Sequence, residues 1–126
     1  MSNQLSFFPD VDEKEIRSIV VKELKLFRAL KIQQLNKKEL KEKGITIDIF
    51  PKLNDNDQEK EMKVLHMERA LNSLDCIERQ IIEQKYLAIE RQNDIDIYLD
   101  LCLQKTAYYE KKKQAIFMIA HCLNII

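Results

Sequence analysis

Residues 93–123 read NDIDIYLDLCLQKTAYYEKKKQAIFMIAHCL, and this stretch decides the fold. Asn93 followed by Asp96 opens a short helix containing Ile95, Tyr98, Leu99 and Leu101. Residues 102–104 make a turn, and a longer helix runs from about Gln104 to Leu123. A short helix, a turn of three or four residues and a longer helix form the outline of a helix-turn-helix. In that outline the second helix lies in the major groove. Its first turns need hydrogen-bonding and cationic side chains outside and apolar anchors inside. Lys105, Tyr109, Lys112 and Lys113 recur at spacings of three and four, and Ala115, Ile116, Ile119 and Leu123 continue as the anchor. Gln104, Lys105 and Thr106 stand at the helix start, where backbone N–H groups favour a phosphate. Tyr108 points away from Tyr109 and is expected in the core.

Upstream, Asp75 with Glu78 opens a helix that turns Ile77, Ile81, Ile82 and Tyr86 inward. Asn56 with Glu59 opens another, which runs to about Asn72. Residues 51–58 are a linker and turn cluster. Before them, Ile45-Thr46-Ile47-Asp48-Ile49 alternates apolar and polar residues. With no partner strand in view, an extended segment packed on the helices is expected there.

Asp12 and Glu15 have capping-box spacing, with Val11 and Ile16 placed as a hydrophobic staple. Ile16, Val20, Leu24, Phe27 and Leu30 then repeat every three or four residues. This long helix ends at Gly44, and a break near Asn36 is left open. Residues 1–11 read as a loose leader.

Composition supports an all-α chain: a long N-terminal helix, then a C-terminal helix-turn-helix bundle of about four helices. The 126 residues hold one glycine and two prolines, too few for the turns of a sheet-rich fold or for a phosphate-cradling loop. The boundary falls in the linker, giving a helical extension over 1–55 and a helix-turn-helix domain over 56–126.

Net charge is zero, with 21 basic and 21 acidic residues, which taken alone counts against nucleic acid. Distribution changes that reading. Residues 22–43 carry eight cations against three carboxylates, and residues 104–126 carry four against one. Residues 74–101 carry three against seven. A neutral chain can still turn a positive face to a phosphate backbone.

Other chemistries find little support. Cys76, Cys102 and Cys122 are odd in number and far apart, and they read as reduced thiols of a cytoplasmic protein. His66 and His121 lack metal-ligand spacing with any cysteine, and no nucleophile has a base beside it. No enzyme activity, metal or cofactor is expected, and no stretch approaches a membrane span. Asp94, Asp96 and Asp100 lack the glycine and terminal glutamate of a calcium loop, and are expected on a solvated face.

Several segments together resemble a family: Asn72-Ser73-Leu74, Arg79-Gln80-Ile81, Lys85-Tyr86, Ile95, Ile97-Tyr98-Leu99, Tyr108-Tyr109-Glu110 and Ala115, with Phe8-Pro9-Asp10-Val11-Asp12-Glu13-Lys14 in the leader. They look like the ArpU-type regulators of phages and prophages of Gram-positive bacteria, whose C-terminal part is similar to region 4 of sigma factors. The resemblance implies a transcription regulator, often of late phage genes, acting on promoter DNA in the bacterial cytoplasm and touching RNA polymerase. Three positions depart from the pattern. Cys102 stands where such turns place glycine, Gln104 where serine caps the recognition helix, and Asp96 where a small residue packs.

The sequence therefore leads to double-stranded DNA as partner. Lys112, Lys113 and the lysines of the N-terminal helix are expected on phosphates, and Gln104, Lys105, Thr106 and Tyr109 on base edges. The N-terminal helix has three open roles: dimerisation, polymerase contact, or a lid on the core. The alternative is a helical adaptor that binds RNA polymerase or a phage protein without touching DNA.

Overall fold

The computed structural model describes residues 12–126. The leader and the Val11 half of the proposed staple lie outside the described residues. Five α-helices follow one another: α1 (Glu13–Glu42), α2 (Asp57–Asn72), α3 (Cys76–Ile82), α4 (Asp94–Asp100) and α5 (Lys105–Cys122). There is no strand among the described residues.

The helix starts follow from local side-chain chemistry. Asp12 accepts a hydrogen bond from the Lys14 backbone N–H, and Asn93 accepts one from that of Asp96. Asp75 and Glu78 form the full reciprocal capping box. Neither Asn56 nor Gln104 makes a side-chain cap. The start of α5 is thus left without a side-chain cap, in keeping with the absence of Ser, Thr, Asp or Asn at position 104.

Helix ends share one device. At α1, α4 and α5 the chain leaves through a left-handed residue: Gly44 (φ 71°), Cys102 (φ 57°) and Asn124 (φ 60°). Each is closed by the paired hydrogen bonds of a Schellman motif. At α4 the Cys102 N–H reaches Leu99 O at 3.2 Å and the Leu103 N–H reaches Tyr98 O at 2.9 Å. α1 passes Asn36 unbroken, since no glycine or proline interrupts it before Gly44.

The chain stays helical beyond the end of α3 at Ile82. It runs on as one π-helical turn, Glu83–Leu87, with the Ala88 N–H bonded to Glu83 O at 2.8 Å. The wider turn brings Tyr86 into the core while Lys85 points at the start of α4.

Two apolar clusters hold the helices. The larger joins Ile16, Val20, Leu24, Phe27 and Leu30 of α1 to Val64, Met67 and Leu71 of α2 and to Ala115, Ile116, Ile119 and Ala120 of α5. α1 is therefore a wall of the core that α2 and α5 share. The smaller joins Ile81, Ile97 and Tyr108, with Tyr98, Leu101 and Leu103 around them, and it sets α4 against α5.

One expectation is corrected. The segment 45–49 is not covered by the helices: Ile47 and Ile49 are at least 60% exposed, as is Phe50 after them. The last buried residue of α1 is Leu30, so the helix beside this segment has already left the core and offers nothing to bury it against.

Candidate nucleic-acid interface

α4, the turn 101–104 and α5 form the short-helix, turn, long-helix unit read from the sequence. The outer edge of α5 begins at the turn. Gln104, Lys105 and Thr106 are exposed, and their side chains make no hydrogen bond or ion pair within the described chain. Tyr109 follows one turn later. Its ring is edge-on to Tyr108 at 5.1 Å, yet the residue keeps 41% exposure. Desolvation, and then the negative charge of Asp94, raise its phenol above the usual range. It is therefore a neutral hydrogen-bonding group at physiological pH. Glu110 shares this edge, the one carboxylate on it.

The lysine run divides three ways. Lys111 binds Asp75 at 2.9 Å, which raises its pKa and ties α5 to the cap of α3. Lys113 binds Glu13 at 3.2 Å and remains about half exposed, which ties α5 to the first turn of α1. Lys112 corrects the sequence reading. Its side chain is only 13% exposed and binds Asp94 at 2.9 Å. Its ammonium lies 5.7–5.9 Å from the ring centres of Tyr86, Tyr108 and Tyr109. A cation held by a carboxylate and three aromatic faces is a clamp inside the fold, so Lys112 leaves the set of phosphate contacts.

Asp94 is the residue that the sequence reading missed. It was grouped with Asp96 and Asp100 as solvated, yet only those two are exposed. Its Oδ1 accepts from the Tyr108 hydroxyl at 2.6 Å and from Lys112, with Lys85 Nζ at 3.6 Å. Burial pushes its carboxyl up, but the hydrogen bonds from Tyr108 and Lys112 and the charges of Lys112 and Lys85 win and hold it below the usual range. Burial and Asp94 together drive the Tyr108 phenol far upward, so its proton stays in the shared bond. One carboxylate thus joins the π turn, α4 and α5, and fixes the angle at which α5 is presented. A sequence signal was available: Tyr108 and Lys112 are four residues apart, so an inward Tyr108 carries Lys112 inward with it.

α1 supplies a second cationic surface. Lys14, Arg17, Lys22, Lys25 and Arg28 lie away from the buried Ile16–Val20–Leu24–Phe27 stripe, and none is ion-paired within the described chain. Among the described residues one ion pair joins α1 to α5, and none of these five cations takes part in it. Glu13 meets Lys113, and Arg17 lies close enough to Tyr86 for its charge to act on that phenol.

The outward face of α4 has a different character. Ile95 and Leu99 stand one turn apart and more than half exposed, beside Asp96 and Asp100, and α4 contains no cation. Among the described residues no group of three His, Cys, Asp or Glu side chains is placed to hold a metal ion, and no helix is long and apolar enough to cross a membrane. Comparison with protein-family models, curated proteins and solved structures gives no match to the chain.

Proposed function

We propose that the chain is a sequence-specific DNA-binding transcription regulator, of the kind its resemblance to ArpU-type proteins implies. One observation carries this reading. The start of α5 follows the turn with Gln104, Lys105 and Thr106 exposed and making no hydrogen bond or ion pair within the described chain, Tyr109 stands 41% exposed one turn on, and α1 carries a separate stripe of unpaired cations. The first group has the donors and acceptors that read base edges. Lys14, Arg17, Lys22, Lys25 and Arg28, with Lys113, have the charge that neutralises phosphates. The phosphate surface is therefore mostly α1, in place of the Lys112–Lys113 pair.

Gel retardation with promoter-length duplex, over a salt series, tests it. Converting Lys22, Lys25 and Arg28 to Gln is expected to weaken binding to all sequences alike and to flatten the salt slope by about 0.9 per lost phosphate contact. Thr106→Ala and Tyr109→Phe are expected to change which sequences are preferred. No retardation of any duplex by micromolar protein at low salt would refute the reading.

The outward face of α4 favours a second reading, the adaptor. An apolar pair beside two unpaired carboxylates suits a basic, apolar protein surface such as a polymerase helix and repels a phosphate backbone. Loss of polymerase contact in Leu99→Asp, without any duplex binding by wild type, would favour this alternative.

A further inference from the structure

A groove of about 520 Å³ runs along one face of α5. Lys113, Phe117 and His121 line it at spacings of four, with Met118 beside them and Glu78 of α3. Its apolar part is Phe117, which also packs on the larger core cluster, and Met118, which stays 43% exposed. The groove reaches the start of α1. Lys113 binds Glu13, the first residue of that helix, at 3.2 Å, and its ammonium lies 5.8 Å from the centre of the Phe117 ring. The chain that precedes α1 therefore joins it within one ion pair of the groove. That chain is apolar: residues 1–11 hold Leu5, Phe7, Phe8, Pro9 and Val11, and Asp10 is their only charged side chain. α1 runs beside α5 from Lys113 towards Leu123, because Ile19, Leu26 and Leu30 share another groove with Leu123 and Ile125. To reach Phe117 the preceding chain must double back, and Pro9 and Asp10 are turn residues. The reach is ample. Phe8 stands four residues before Asp12, a span of up to about 13 Å, whereas Lys113 to Phe117 is one turn of α5, about 6 Å.

We propose that the occupant of this groove is the chain's own leader, residues 5–11, with the Phe7-Phe8 pair against Phe117 and Met118 and Asp10 towards the Lys113 ammonium. Tethering selects that occupant. A segment joined to the groove by so few residues is present there at an effective concentration on the order of millimolar. A free partner with the same apolar surface would have to compete with it from micromolar concentration. Chemistry agrees with tethering: the leader offers two aromatic rings to the groove's apolar part and one carboxylate to its lysine. On the DNA-binding reading, the leader then borders the α5 edge at Glu110, which lines the same groove, and narrows the face that a duplex can approach. The docking itself does not rest on that reading.

Methionine-methyl NMR of the full chain, without DNA, tests the proposal. Met118 lines the groove, Met67 is buried in the core, and Met62 is 53% exposed on α2. In wild type the Met118 methyl is expected to show nuclear Overhauser contacts to the Phe7 and Phe8 rings. Phe7→Leu with Phe8→Leu keeps the leader apolar and removes both rings. The Met118 methyl resonance is then expected to move, because a ring current acts only at contact distance, while those of Met62 and Met67 hold. An unmoved Met67 resonance shows that the core is intact. Absence of the wild-type contacts, or a Met118 resonance that ignores the double substitution, overturns the proposal. Wild-type contacts that vanish on dilution would place another copy's leader in the groove and overturn it as well. Docking without any retardation of duplex leaves this proposal standing and removes the DNA reading alone.

Discussion

Cys102 occupies a backbone position that suits glycine, and replacing it with glycine should stabilise the fold. At φ 57° its Cβ crowds the neighbouring carbonyl, which costs an L-residue about 1–2 kcal/mol relative to glycine. Glycine returns roughly 0.5–1 kcal/mol of that through the extra freedom it gains in the unfolded chain. The Cys102 side chain is exposed, so little packing is lost with the thiol. The net expectation is a gain of about 0.5–1 kcal/mol, or roughly 2–5 °C in Tm for a chain of this size. Urea and thermal unfolding followed by circular dichroism would measure it. Two comparisons isolate the cause. Cys102→Ala keeps the Cβ and should match wild type. Gly44→Ala, at φ 71° with nothing within 4 Å of the added Cβ, should lose about 1 kcal/mol through backbone strain alone. If Cys102→Gly proved no more stable than Cys102→Ala, the left-handed geometry of the turn would be refuted.

Two further outcomes follow from the Asp94 node. Lys112→Ala should destabilise the fold by about 1–3 kcal/mol, because it strips a half-buried carboxylate of its main cation, while Lys113→Ala should stay within about 0.5 kcal/mol by denaturant titration. Stability should also fall in acid. The folded pKa values of Asp94, Asp75 and Asp57 are all lowered, so their contribution is complete above the unfolded carboxylate pKa near 4 and is lost as pH drops through the folded values. Urea midpoints should hold between pH 7 and 5 and decline below about pH 4, and Asp94→Asn should flatten that decline.

Where side chains act on their own backbone, the fold was legible. The caps at Asp12, Asp75 and Asn93, the stop at Gly44 and the three-four spacing of Ile16 through Leu30 are local signals, and the helices begin and end beside them. Tyr108 was legible as core for the same reason. What stayed hidden depends on distance along the chain. Lys112 finds Asp94 eighteen residues away; its spacing of four from the core Tyr108 marks it as the inward lysine of the three, but the carboxylate that receives it is set only when α4 packs on α5. Residues 45–49 have an alternation that predicts one covered face, but whether a neighbour exists to cover it depends on where α1 leaves the core.

α5 enters both clusters, Tyr108 in the smaller and Ala115 through Ala120 in the larger. It is a single unkinked rod of eighteen residues, about 27 Å long. Tilting its leading edge would lever open one cluster or the other, so the protein has no inexpensive way to adapt its shape to a target. On the DNA-binding reading, adaptation falls to the duplex. Sites whose base steps bend readily should then be preferred even at positions that no side chain touches.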